Sequence, residues 1–329
     1  MQAAEQLVAL PQYGVLPSSV RVSKTPPADW RGSREDFESW LETSLASLRE
    51  LLWPEFGPPG SIAMQRMVAL TYADLDLMVE IRSGRLMDAV PFSPVRHLAC
   101  PPHGEFYQFE DNQKPHSPGE LHWNYDRQID PDQFLKAIPR LFLRGQSRKA
   151  PASNVVFFKE QMQRPRPFQA AKLLGYDEFT HEAAITALHP SIISGHCYQG
   201  LLGVAGVFEY IFLNEIEMTE DSLLALRQYA VDFGDRRVMA GVHYPSDNIA
   251  SWLLALDICD RVCHPDVGAR VKSELWLAVS HRSEIYGLAS LAAEAEPYHP
   301  YRPALKELRR RGGEPEPHGP KALGTAAGA

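Results

Sequence analysis

Between residues 34 and 53 the apolar positions Phe37, Trp40, Leu41, Leu45, Leu48, Leu51 and Leu52 recur at three- and four-residue steps. That period places them on one face of a helix, bounded by Ser33, a residue type that caps helix N-termini, and by Pro54, which ends one. A second helix is predicted over 62–81. From residue 154 onward the same period returns, predicting helices over 154–163, 168–174, 179–188, 195–214, 219–233, 246–263 and 267–285. Long alternating β-branched runs are scarce. The expected fold is therefore all-α, a multi-helix bundle whose members bury apolar faces against one another.

Elsewhere the pattern lapses. Residues 1–32 mix prolines, serines and isolated apolar residues, which predicts an irregular N-terminal arm. Residues 91–118, dense in Pro, His, Gly and aromatics, read as a long loop able to border a pocket, with His97, His103, His116 and His122 in or near it. Residues 296–329 are rich in Pro, Gly, Ala and charge and predict a flexible C-terminal tail. That leaves 33–295 as a single all-α domain, and no internal repeat divides it.

Charge narrows the function classes. Against 41 acidic residues the chain sets 33 Lys and Arg, for a formal charge of -8, so there is no protein-wide basic field for nucleic acid or an anionic membrane surface. Any anion site must be local. The longest apolar stretch, 201–213, contains Glu209 and falls short of the roughly 20 residues that a bilayer crossing needs, so no integral membrane span is expected. Residues 1–20 lack the basic opening and apolar run of a secretory signal, and a cytoplasmic location is the expectation. Four scattered cysteines, Cys100, Cys197, Cys259 and Cys263, suggest no disulfide framework. Cys259 and Cys263, one helical turn apart with His264 following, make too small a ligand set for a metal and fit an apolar helix face; no metal site is expected.

Three short blocks carry candidate chemistry. In the stretch FFKEQMQRPRPF, Lys159 is followed after six residues by Arg166, whose backbone is restricted by Pro165 and Pro167 so that its guanidinium can be aimed. Next come Ser194, Gly195 and His196 at a predicted helix start, where free N–H groups and the helix dipole favour an anion. Gly200, Gly203 and Gly206 fall inside that helix and suit close packing. In the third block, GDRRVMAGVHYPSDNIAS, Arg237 precedes His243 by six positions and Asp247 follows by four. With Pro245 in the first turn of a helix, Asp247 can accept the Nδ1 proton of His243 and leave the Nε2 lone pair outward as a nucleophile or ligand. Alone, each block also describes a solvated basic patch, an ordinary cap or an i, i+4 pair. Their joint occurrence in this order is expected by chance only on the order of once in ten thousand chains of this size.

Together the blocks resemble the superfamily that joins type 2 phosphatidic acid phosphatases, class A acid phosphatases and vanadium haloperoxidases. Its pattern runs Lys, six residues, Arg-Pro; then Pro-Ser-Gly-His; then Ser-Arg, five residues, His, three residues, Asp. The likeness covers 159–247. It departs at Ile193, which stands in place of Pro with a Pro190-Ser191 pair upstream, and at Arg236 in place of Ser. The resemblance implies an all-α catalytic domain with an oxyanion site in the bundle. Lys159, Arg166 and Arg237 would bind phosphate oxygens beside Ser194 and Gly195, with His243 as nucleophile and His196 as general acid. It implies a soluble, metal-independent phosphatase that hydrolyses small phosphomonoesters through a phosphohistidine and needs no cofactor. The alternative is a haloperoxidase that holds vanadate on His243 and oxidises halide with peroxide. The segments RPRPF and GVHYPSD favour the phosphatase branches, and phosphate, sulfate or vanadate is the expected bound anion. His189, just upstream of the second block, is either a supporting residue of the site or a loop histidine.

Overall fold

The computed structural model describes residues 24–82, 132–177, 179, 189–288 and 298–313. These residues are helical and connecting segments, with no strand among them. In chain order the helices are α1 (Arg34–Leu51), α2 (Ile62–Arg82), α3 (Asp132–Lys149), α4 (Ala152–Met162), α5 (Pro167–Leu173), α6 (Gly195–Leu213), α7 (Glu220–Met239), α8 (Pro245–Val262), α9 (Gly268–Ile285) and α10 (Arg302–Gly312). The fold is all-α, as the periodicity predicts. Residues 180–188 of the predicted helix over 179–188, the 91–118 loop with His97, His103 and His116, and His122 beyond it lie outside the described residues.

Two helices make the centre. Both α6 and α8 are apolar or small on nearly every face, the composition of a helix surrounded by others. Accordingly α6 packs against α3, α7, α8 and α9, while α8 packs against α6, α9 and α10. The α3–α6 crossing is close because glycines meet there. A Cβ on Gly206 would lie 2.7 Å from the Cα of Gly145, and one on Gly203 would lie 2.4 Å from the Phe142 ring. The glycines inside α6 are thus packing residues. Replacing Gly206 by Val should push α3 away and cost about 1–3 kcal/mol, read as a lower denaturation midpoint with unchanged helix content.

The described residues 298–313 depart from the tail-like reading of 296–329. Helix α10 is seated on the core: Tyr301, Ala304, Leu305 and Leu308 are buried, Arg311 donates to the Leu253 carbonyl at 3.0 Å and to Ser47 Oγ at 3.1 Å, and α8 lies beneath. Composition concealed it. A narrow apolar stripe is enough to dock a short helix whose other faces are charged, and the charge dominates any average over the segment. Residues 24–32 run without regular structure over the bundle. Trp30 meets Phe37 edge-on, Asp29 pairs with Arg148 and with the buried Lys149, and the Arg31 N–H donates to the Arg261 carbonyl at 2.9 Å.

Helix α3 has no counterpart in the predicted elements; it contains Pro139 and Gly145, residue types that ordinarily interrupt a helix. Helix α7 runs six residues beyond the predicted 233 and so carries Arg236 and Arg237 in its last turn. The three sequence blocks therefore share one end of the bundle. They lie at the C-terminal ends of α4 and α7 and at the N-terminal ends of α5, α6 and α8.

Candidate active site

Each polar side chain here is aimed by the local backbone. Lys159 lies in the last turn of α4, fully buried, and its Nζ donates to the carbonyls of Pro190 (2.8 Å) and Ser191 (2.7 Å). Arg166 is the residue before α5, which Pro167 opens; its Nε donates to the His189 carbonyl at 2.6 Å and one NH1 proton to the Val242 carbonyl at 2.7 Å. NH1 also lies 2.9 Å from His243 Nε2, and NH2 lies 3.1 Å from His189 Nδ1. Since a guanidinium only donates, both nitrogens are lone-pair acceptors.

His243 closes a turn between α7 and α8. Gly241 takes the positive φ of 72° that reverses the chain, and the N–H groups of Val242 and His243 both donate to the Arg237 carbonyl at 3.2 Å. On its other side His243 Nδ1 is 2.9 Å from Asp247 Oδ2. The imidazole is thus fixed with its proton on Nδ1 and its lone pair on Nε2. Asp247 Oδ2 also accepts from the Tyr244 N–H at 3.0 Å and from the Ser191 hydroxyl, so the carboxylate is held from three sides.

Electrostatics bind the cluster together. Burial pushes the His243 pKa well below the ordinary histidine value, and the charges of Arg166, Lys159, Arg237 and His196 push it further. The same burial, followed by the charges of Arg166 and Arg237, holds Lys159 well below its usual value. Arg166 falls to about 9, through burial and then the charge of Arg237. Lys159 and Arg166, with Arg237 beside them, form a strong field for an oxyanion, whose negative charge would oppose the lowering of the Lys159, Arg166 and His243 pKa values.

The structure brings Lys159, Arg166, Arg237, His196, His243 and Asp247 to one locus. Ser194 caps α6, accepting from the Cys197 N–H at 3.4 Å, and is fully buried; Gly195 is the first residue of that helix and partly exposed. A side chain at Gly195 would strike Val155, with the added Cβ only 2.9 Å from its Cγ1. Arg236 turns away from the cluster, its guanidinium 5.9 Å from the Phe233 ring and its charge acting on the buried carboxylates Asp232 and Asp235. Cys259 and Cys263 are buried within the apolar core.

Residues 150–260 match the family model of the PAP2 superfamily. The matched PAP2 segment holds all the residues named for the site, and α1, α2, α3 and α10 lie largely or wholly outside it. PAP2 proteins are phosphatase-type hydrolases. No curated protein and no solved structure matches the chain. No helix among the described residues is long and apolar enough to cross a membrane.

Several partners of the candidate site have no role assigned in the three sequence blocks. His189 receives Arg166, and burial together with the charges of Lys159 and Arg166 pushes its pKa down to about 2, so it is neutral with its proton on Nε2. Ser191, from the displaced Pro190-Ser191 pair, donates to Asp247 while its carbonyl takes Lys159. The 189–194 loop thus orients two cations and the acid at once. Arg164 and Asp74 lie deeper, behind Asp247. Of these, His189 and Ser191 lie in the stretch before the second block that the sequence already marks, and Arg164 stands inside the first block, whereas Asp74 carries no sequence signal.

Anion binding gives a direct measure of the cluster. Phosphate or vanadate at a hundredfold excess over its dissociation constant should stabilise the fold by about 2.7 kcal/mol, seen as a raised melting temperature. Because the Lys159 pKa is lowered in the free protein and raised by a bound anion, binding takes up protons. Affinity should therefore fall as pH rises from the free-protein pKa of Lys159 towards its bound one, and titration calorimetry in buffers of different ionisation enthalpy should register the uptake.

Proposed function

We propose that the protein hydrolyses small phosphomonoesters through a phosphohistidine on His243. One observation carries the reading: the His243 imidazole is pinned by Asp247 at Nδ1 while its Nε2 lone pair faces the buried cation Arg166 at 2.9 Å. A nucleophile aimed into a cationic pocket is what in-line attack on a phosphate requires.

In the proposed sequence Arg166 transfers its hydrogen bond from Nε2 to a phosphate oxygen, and Lys159, Arg237 and the Gly195 N–H take the others, with the Ser194 hydroxyl beside them. Nε2 then forms a bond to phosphorus as the ester P–O bond breaks, and His196 protonates the leaving alkoxide. Neutral His196 next accepts a proton from water, whose oxygen attacks phosphorus. The P–N bond breaks and its electron pair returns to His243. Neither half draws on a metal or a cofactor.

The test is a panel of phosphomonoesters, p-nitrophenyl phosphate among them, assayed beside vanadate- and peroxide-dependent bromination of a phenol dye. Ester hydrolysis inhibited by vanadate, with a phosphohistidine trapped by rapid acid-free quench, supports the reading. Bromination without hydrolysis would replace it with halide oxidation in the same pocket, and neither activity would leave an anion-binding protein.

A further inference from the structure

Behind the His243–Asp247 pair lies a second buried ion pair, between Arg164, a position of the first block to which the resemblance gives no role, and Asp74, which lies outside all three blocks. Arg164 NH1 donates to Asp247 Oδ1 at 3.0 Å and to Ser246 Oγ at 2.6 Å, while NH2 donates to Asp74 Oδ2 at 2.7 Å. Asp74, from the middle of α2, also accepts from the Ser246 N–H at 2.9 Å, the Ser246 hydroxyl at 2.5 Å and the Tyr301 hydroxyl at 2.7 Å. Arg164, Asp74 and Asp247 have no exposed surface, and the guanidinium lies 3.8 Å from the Tyr244 ring centroid and 4.6 Å from that of Trp53.

We infer that Asp74 and Arg164 are positioning residues for the proposed nucleophile: they hold the Asp247 carboxylate in register with His243 Nδ1 and set how much of its negative charge the imidazole receives. The inference rests on the phosphohistidine reading for its catalytic meaning, and on geometry alone for the coupling to His243.

The charge count decides the direction. Asp247 faces one guanidinium, and that guanidinium is shared with Asp74, so the three groups carry a net negative charge against the cations Lys159, Arg166 and Arg237 on the far side of the imidazole. Burial raises the Asp74 pKa, opposed by the Arg164 charge and by the Ser246 and Tyr301 hydrogen bonds, and it is the contacts, each from a donor, that match an ionised carboxylate. Burial works against the Arg164 charge, but Asp74 and then Asp247 more than offset it and its pKa is raised. Were Asp74 neutral, Arg164 would turn its whole charge on Asp247. The Asp247···His243 hydrogen bond would then weaken just where His243 must tolerate positive charge as its Nε2 bonds to phosphorus. A buried ion pair adds little net stability, and a fixed geometry is one use for which such pairs are retained.

The placement also gives α2 and α10, which lie outside the matched segment, a part in the site. Asp74 comes from α2, and Tyr301, at the start of α10, ties the end of the described chain to the same carboxylate.

The test uses the full chain labelled with [15N]histidine, in Asp74→Asn and in the milder Tyr301→Phe, each checked for folding by its thermal melt. In the wild type the His243 Nδ1 proton should appear far downfield, as a hydrogen bond to a carboxylate requires. It should move upfield in Asp74→Asn and shift by less in Tyr301→Phe, which removes one donor to Asp74 and keeps its charge. With p-nitrophenyl phosphate, kcat of Asp74→Asn should fall about tenfold or more while KM stays within about twofold, because Asp74 touches no substrate atom. An unmoved His243 resonance in a folded Asp74→Asn variant overturns the inference; if that variant does not fold, an unmoved resonance in Tyr301→Phe does so. A shifted resonance in a protein without esterase activity would leave the coupling standing and remove only the phosphatase reading.

Discussion

His243→Ala should lose at least about 10⁴-fold in kcat toward any phosphomonoester the protein accepts, while still binding phosphate. The magnitude follows from what the imidazole is proposed to do. In the proposed sequence its Nε2 makes the covalent bond to phosphorus, with the Asp247 carboxylate behind the ring and Arg166 in front of the lone pair. His196 contributes to the charge around His243 and in the proposed sequence serves the leaving group, and His189 has its Nδ1 occupied by Arg166. Anion affinity should survive because Lys159, Arg166 and Arg237 remain. The lowered pKa of His243 implies that the wild-type ring adds no positive charge near neutral pH, so its removal takes no cation from the cluster. The measurement is single-turnover release of p-nitrophenol alongside calorimetric phosphate binding. A variant that kept near-wild-type turnover would show that the attacking group lies elsewhere; one that lost phosphate binding as well would point to collapse of the 240–244 turn.

The bundle was legible because its helices are long and strongly periodic, and the site because spacing survives where structure does not. Lys159 and Arg166 lie on two elements separated by a bend at Pro165, yet the count of six intervening residues still identifies them. What spacing does not reveal is the far partner of a buried group. Asp74 sits on α2, ninety residues from Arg164, and nothing in its neighbours Ala73 and Leu75 marks a carboxylate that meets a guanidinium. The segment that carries Tyr301 reads as tail because it is rich in Pro, Gly, Ala and charge. Its burial depends on a surface that exists only once α2 and α8 are packed. The departures from the family pattern, by contrast, acquire a physical account. Ser191 in the displaced pair donates to Asp247, and Arg236 answers the buried carboxylates Asp232 and Asp235 on the side away from the proposed phosphate.

Arg166→Ala should cost about 10³-fold or more in kcat/KM and, separately, move the acid limb of the rate profile to higher pH. The first effect comes from losing a buried guanidinium at the phosphate, a loss on the scale seen when a transition-state arginine is withdrawn. Lys would not replace it, because Arg166 reaches the His189 carbonyl, the Val242 carbonyl and Nε2 at once, and an ammonium on a flexible stem cannot hold that fan. The second effect has a definite sign. His243 must be neutral to attack, so activity falls as pH drops through its pKa. Burial is the largest cause that lowers this pKa and Arg166 the next, ahead of Lys159, Arg237 and His196. Without Arg166 the pKa rises toward the ordinary histidine value, and protonation silences the nucleophile at a pH where the wild type still works. Loss of binding alone would lower the profile without moving its limb. Added guanidinium ion entering the space left by the side chain should recover part of the rate and draw the limb back toward lower pH, since the same charge supplies both effects. Rescue of rate with an unmoved limb would mean that Arg166 serves the phosphate but does not set the charge state of His243.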